Sequence, residues 1–499
     1  MKQEPERTAG VLLHVSSLPG PCPVGDFGPA AHRFADWLAG AGLRWWQVLP
    51  LGHTDPFYAS SPYRSISTFA LNPLFVSPEL LVRDRLLSPS DIEPPPGTGT
   101  ARTDYRLAAE WKDRLLDRAW QRWKPDRRFE RFCRDNAGWL DDYALYRTLK
   151  NRFGGLAWTD WPSKLRDRDD AALSEIADVF SRDVDRARFV QYVLFRQWQE
   201  LRHHCLERGV GIIGDLPIYV DADSADCWAN PQFFKLDRRG RPRVAAGVPP
   251  DYFSKTGQLW GNPLYNWRSL GRNGYRWWLG RLEHALRLFD RVRIDHFRGL
   301  VACWQVPAKA NTARKGRWVR VPAISFLSAV RKRFPGMPFI AEDLGHITPD
   351  VVRVRKRFGL PGMVVLQFAL GRKDGPLDRL EPETVLYTGT HDNNTTRGWF
   401  EHEATGVEKA DLRRRLGRTA SPATVGRMLV RLAFESRARA VIVPMQDVLG
   451  LGPSARMNTP GTTAGNWTWR LREGQVTERP ARWLAELAEA TGRRATGPS

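Results

Sequence analysis

The chain has 499 residues, of which 42% are hydrophobic, with 76 Lys and Arg against 55 Asp and Glu and a formal net charge of +21. Twenty-one Trp and 23 Phe supply more core-forming surface than a disordered chain carries. No apolar run reaches the roughly 18 residues of a membrane span, and the N-terminal apolar stretch is too short for a secretory signal. The five cysteines, Cys22, Cys133, Cys205, Cys227 and Cys303, are scattered with no C-x-x-C pair. This excludes a disulfide framework and predicts a reducing, cytoplasmic setting. The basic residues are mostly Arg, interleaved with acids as in DRRFERFCRDN. That interleaving predicts solvated helical faces and no specific nucleic-acid partner.

In chain order, RFADWLAGAGL reads as a helix and LRWWQVLPLG as a buried strand. The Pro/Gly-rich stretch 88–105 reads as a linker or surface loop, and a helical region follows from Ala108 to Arg152. The apolar runs GVGIIGDLPIYV, FDRVRIDHFRG, MPFIAEDLG, MVVLQFAL, TVLYTGTHDN and RAVIVPMQDVLG read as further strands. Helical stretches such as ARFVQYVLFRQWQELRHHCLERG and ISFLSAVRKRF lie between most of them. Strand alternating with helix predicts parallel strands with crossover helices. Seven or eight units predict an α/β fold of the closed (β/α)8 barrel type, with helical and loop insertions. The expected organisation is one barrel domain over residues 1–499, a helix-rich insertion at 75–185, and a loop insertion at 223–276.

A barrel gathers the C-terminal ends of its strands at one mouth. Asp215, Asp295, Glu342 and Asp392 close four of the runs. In VRIDHFRG, period-two alternation puts Arg293 and Asp295 on one face. The Arg would hold that carboxylate ionised, as a nucleophile for glycosyl transfer needs, or form a structural pair at the rim. In FIAEDLG, a carboxyl in a less polar setting would keep a raised pKa and donate a proton; the alternative is a helix cap at Asp343. His391 and Asp392 could orient a sugar hydroxyl; with no third ligand at a characteristic spacing, metal binding is a weak reading. The loop DYFSKTGQLWGNPLYNW interleaves Tyr252, Phe253, Trp260, Tyr265 and Trp267 with amides. Such a loop suits the C–H faces and hydroxyls of a sugar, or is pinned down by its own aromatics.

Together GVLLHVSSLPGPCPVGDFG, WWQVLPLGHT, YASSPYRSISTFALNPL, GDLPIYV, GVPPDYFSKTGQLWGNPLYNW, RIDHFRG, AEDLG, GTHDNNT and MNTPGTTAGNWTWR span nearly the whole chain. In these segments it resembles the 4-α-glucanotransferases of the amylomaltase, or disproportionating enzyme, family in the α-amylase clan. The resemblance implies a barrel without a separate C-terminal β-domain. It also implies retaining double displacement on maltooligosaccharides, starch or glycogen-derived glucans, with no cofactor, metal or membrane. Asp295 matches the nucleophile, Glu342 the general acid/base and Asp392 the carboxylate that stabilises the transition state. Arg293, His296 and His391 match residues around the glucose at the cleavage point, with Asp215 binding and Tyr63 stacking on it. Asp251, Trp260, Asn262 and Asn466 resemble outer substrate contacts. Segments 247–254 and 458–462 match loops over the site. A retaining α-glucan hydrolase of the same clan would carry the same catalytic groups, and is the alternative reading.

Overall fold

The computed structural model describes residues 6–54, 61–95, 97–250, 254–373 and 375–495. Among the described residues twelve strands form, in chain order: β1 (Thr8–Leu12), β2 (Trp45–Gln47), β3 (Gly211–Leu216), β4 (Val244–Val248), β5 (Gln258–Pro263), β6 (Arg291–Ile294), β7 (Ala302–Pro307), β8 (Arg317–Arg320), β9 (Phe339–Ala341), β10 (Gly362–Val365), β11 (Thr384–Tyr387) and β12 (Ala440–Pro444). Eight of them make one sheet in the order β10-β11-β12-β1-β2-β3-β6-β9, with every neighbouring pair parallel. Its two ends meet, because the Ala341 N–H donates to the Pro361 carbonyl at 2.9 Å. Asp343 completes this seam. Its Oδ1 accepts the Met363 N–H at 2.7 Å and its Oδ2 pairs with Arg355 at 2.9 Å. The N-cap position of the helix that follows, Pro349–Arg357, is Thr348 rather than Asp343, so Asp343 does not take the cap expected as its alternative role. The barrel is therefore the expected (β/α)8 architecture.

β1, β2, β3 and β11 are buried along their full length. Covered on both faces, they read as continuous apolar runs without alternation. The strand interiors leave room for large neighbours. A Cβ on Gly211 would lie 2.5 Å from the Trp45 ring, so this position admits only glycine while Trp45 fills the barrel. The helical region after β2 divides into Tyr105–Arg122 and Arg127–Arg152. The break falls at Lys124-Pro125-Asp126, where Pro125 has no N–H to continue the ladder and Asp126 caps the second helix through the Phe129 N–H at 2.8 Å. The helix Ser181–Glu207 then packs along Arg127–Arg152 and leads into β3.

β5, β4, β7 and β8 form a separate antiparallel sheet in that order. Two of its strands lie within the stretch expected to be loop. β5 escaped notice because its residues are mostly half-buried and lack period-two alternation. Among the described residues no helix is long and apolar enough to cross a membrane, and the five cysteines are free thiols.

Candidate active site

Arg293 organises the mouth of the barrel. The register pairs Arg293 on β6 with Asp215 on β3. Nη1 donates to both Asp215 oxygens at 2.7 and 2.8 Å, and Nη2 lies 2.9 Å from Asp295 Oδ1. The Tyr63 hydroxyl donates to Asp215 Oδ2 at 2.7 Å. Burial pushes the Tyr63 phenol well above its ordinary value, so it stays a donor. Burial also raises the Asp215 carboxyl, and the Arg293 charge opposes that rise. Asp215 is enclosed, whereas the Asp295 side chain keeps 27% of its surface exposed. Arg293 thus joins an enclosed carboxylate to one that is partly open at the mouth. Alternation on β6 correctly placed Arg293 and Asp295 on one face.

Glu342 follows β9. Its Oε2 accepts the His296 N–H at 2.7 Å and its Oε1 the Leu344 N–H at 2.8 Å. Burial raises its pKa to about 7; Arg293 opposes the shift and the Asp295 charge adds to it. His296 adopts the left-handed conformation with φ 47°, an uncommon one for a residue with a Cβ. That turn aims its N–H at Glu342. Its ring meets Trp260 on β5 edge-on, with centroids 4.8 Å apart. Burial lowers the His296 pKa to about 4, so the ring is neutral. Its buried Nε2 has no partner among the described residues, which leaves one polar atom for a ligand hydroxyl.

His391 and Asp392 follow β11. Tyr63 stacks on His391 with centroids 5.0 Å apart and planes 23° from parallel. His391 Nε2 lies 3.4 Å from Asp392 Oδ1. The Asp392 side chain is 48% exposed and receives the Asn458 Nδ2 at 2.6 Å. Arg456 supports the same turn, donating to the Asp392 carbonyl at 2.8 Å. Spacing could not reveal either partner, since both lie more than sixty residues away in sequence. His14 was also missed. It follows β1 and is buried, with its pKa lowered to about 3 by burial and the nearby His391. The signal was available: His14 is a polar residue closing an apolar run, like the four carboxylates.

The outer residues divide. Trp260 reaches the centre through His296. Asn262 Nδ2 donates to the Val220 carbonyl at 2.9 Å, and so holds the loop after β3. Asn466 Oδ1 accepts the Thr459 N–H at 2.9 Å and its Nδ2 donates to the Thr462 carbonyl at 3.0 Å, closing the 459–466 loop. Asp251, with Tyr252 and Phe253, lies outside the described residues. One cluster of potential metal ligands is present among the described residues, Cys22, Asp26 and Glu79. There the buried Lys112 ammonium already sits 2.7 Å from Asp26 Oδ2, in the role a cation would take.

Residues 13–477 match the family described as 4-alpha-glucanotransferase. The 4-alpha-glucanotransferase of Thermus thermophilus is 46% identical, covering 98% of this chain and 99% of its own. That of Aquifex aeolicus is 44% identical, covering 94% and 96%. The solved amylomaltase from Streptococcus agalactiae, in complex with acarbose, superposes with a TM-score of 0.94 at 33% identity, over 98% of this chain and 100% of its own. The chain belongs to the 4-alpha-glucanotransferase family.

Proposed function

We propose that this glucanotransferase works by retaining double displacement on α-1,4-glucans, with Asp295 as nucleophile and Glu342 as acid and then base. The observation that carries the reading is the contrast between two neighbouring carboxyls. Asp295 is paired with Arg293 and partly open, and Glu342 is buried with a pKa near 7. A buried carboxyl that keeps its proton suits proton transfer, and a more exposed one oriented by an arginine suits attack. In the first step an Asp295 oxygen bonds to the sugar C1, and the glycosidic oxygen leaves with the Glu342 proton. In the second, Glu342 takes the proton of an acceptor 4-hydroxyl, that oxygen bonds to C1, and Asp295 is released. The stereochemistry at C1 is inverted twice and so retained.

Asp392 has the exposure to bind sugar hydroxyls as positive charge develops on the ring. Tyr63, Asp215, Arg293, His296 and His391 would hold the glucose at the cleavage point. Asp251, Trp260, Asn262 and Asn466 would line the outer path, the two asparagines chiefly by fixing loops. Maltooligosaccharides and starch- or glycogen-derived chains are the substrates; the acarbose bound to the streptococcal amylomaltase supports a saccharide-shaped cleft. The barrel with its insertions at 75–185 and 223–276 acts as one catalytic unit, and the free thiols fit a cytoplasmic enzyme. Maltotriose tests the reading. Glucose together with oligomers longer than three units is expected, and only shorter sugars would mark a hydrolase.

A further inference from the structure

The end of the barrel opposite the site carries a second cluster. Arg44 precedes β2, Arg291 opens β6 and Arg439 precedes β12. In the sheet order β12-β1-β2-β3-β6 these strands span an arc of five around the barrel, so their first residues face one another across its base. Trp45 fills the middle. The Arg44 guanidinium carbon lies 5.5 Å and that of Arg291 5.1 Å from the Trp45 ring centroid. The side chain of Trp45 is fixed there by its indole N–H to Thr8 Oγ1 at 3.1 Å and by the absence of a side chain at Gly211.

Negative charge is scarce at this point. Arg291 has no ion pair or hydrogen-bonded acceptor among the described residues, and Arg44 bonds only the Gly209 carbonyl, at 2.5 Å. Arg439 holds Glu383 at 2.9 Å. The neighbouring acids are committed elsewhere. Asp290 binds Arg202 at 2.8 Å and the Ile212 N–H at 2.8 Å, and Glu381 pairs with Lys356 at 2.5 Å. Burial pushes the Arg291 guanidinium below its ordinary value; the like charges of Arg439 and Arg44 add to this and Glu383 opposes it. Three half-buried guanidiniums stand against one carboxylate, so positive charge is in excess at the base. Planar guanidinium forks match the oxygens of a phosphoryl group.

We propose that Arg44, Arg291 and Arg439 form a phosphoryl-binding site at the base of the barrel, taking inorganic phosphate or the phosphate of a sugar ester. The site is remote from transfer chemistry: Arg291 and Asp295 stand four residues apart along one strand, about 13 Å at the strand rise. Part of the excess positive charge thereby has a use that glucan binding does not require.

The test is calorimetric titration of the full chain with inorganic phosphate, with ionic strength held constant by sodium chloride. Saturable binding is expected, weakened about tenfold or more in Arg291→Gln and in Arg44→Gln, the scale of losing a charge-assisted fork. Lys332→Gln, on the exposed face of the helix Ala323–Arg333, should bind as the parent does. If Arg291→Gln does not fold, Arg44→Gln and Arg439→Gln carry the comparison. Glucose 6-phosphate distinguishes the sources, since tighter binding than phosphate assigns the site to a sugar ester and equal or weaker binding assigns it to the free anion. Absence of saturable binding, or affinities that none of the three arginine variants changes, would overturn the proposal.

Discussion

Glu342 is held by the backbone of His296, whose N–H reaches Oε2 at 2.7 Å from a left-handed turn. The carboxyl at the end of β9 is therefore placed by the residue that directly follows Asp295. This relationship makes the two carboxyls one unit. Glu342→Gln keeps an oxygen for that N–H but has no proton to give and none to take. Cleavage of maltotriose should fall by about 10²–10⁴-fold. A maltosyl fluoride, whose leaving group needs no proton, should still react in its first step. Equal loss on both substrates would show that Glu342 serves only to hold the turn.

The pKa of Glu342 gives a pH dependence with a defined sign. The unfolded carboxyl ionises near 4.5 and the folded one near 7, so between these values the folded state binds more protons and stability falls as pH rises. The Gln variant has no such group. Its melting temperature relative to wild type should therefore increase from pH 5 to pH 8. Over the same range, transfer by the wild type should decline above pH 7 as the acid form is lost. A Tm difference that is flat with pH would contradict the buried, protonated state.

Arg293 neutralises Asp215, whose side chain is fully enclosed. Arg293→Met would strip that charge of its guanidinium and leave the Tyr63 hydroxyl as its hydrogen-bond donor among the described residues. The expected cost is about 3–5 kcal/mol, read as a shift in urea midpoint, and the double variant with Asp215→Asn should recover part of it. Asp295→Asn, at a partly open position, should change stability far less while abolishing transfer. If Arg293→Met is no less stable than Asp295→Asn, the hub is not what fixes the mouth.

The barrel was legible because parallel strands covered on both faces write themselves as apolar runs, and because each run at the mouth ends in a polar residue. β1 was the faint one: its Thr8-Ala9-Gly10 start is too small and polar to stand out, although all five of its residues pair with β12 and three with β2. The antiparallel sheet β5-β4-β7-β8 was illegible for a different reason. β5 and β8 have no buried face that alternates with an exposed one, and β4 meets β7 only across β5 and β6, so no local period marks the sheet. Within the site, the residues alone marked the carboxylates at strand ends, while Tyr63 came only through the family resemblance and His14, Asn458 and Arg456 were not singled out. Asn458 and Arg456 meet Asp392 through chain reversal alone, and only family resemblance pointed to their segment.

β4 and β5 pair antiparallel with Val248 opposite Gln258, so the segment between them is a hairpin connection anchored on both sides. Gly247 allows this pairing, since a Cβ there would stand 2.4 Å from the Gln258 carbonyl oxygen. The composition of 247–254, with Val248, Pro249, Pro250, Tyr252 and Phe253, suits a stiff apolar cover that keeps water from the glycosyl ester. Shortening this connection, or replacing Tyr252 and Phe253 by Ala, should raise hydrolysis relative to transfer more than it slows donor cleavage. The readout is the ratio of released reducing ends to redistributed oligomers. An unchanged ratio at a lower overall rate would mean the segment binds substrate without protecting the intermediate.

Mass spectrometry of the trapped glycosyl-enzyme tests the central claim most directly. Glu342→Gln would be reacted with a maltosyl fluoride, quenched with acid and digested, and the peptides mapped for a covalent saccharide. The added mass should sit on the peptide containing Asp295 and be absent when Asp295→Asn is combined with Glu342→Gln. A saccharide found on Asp215, Asp392 or any other residue would contradict the assignment of Asp295 as nucleophile.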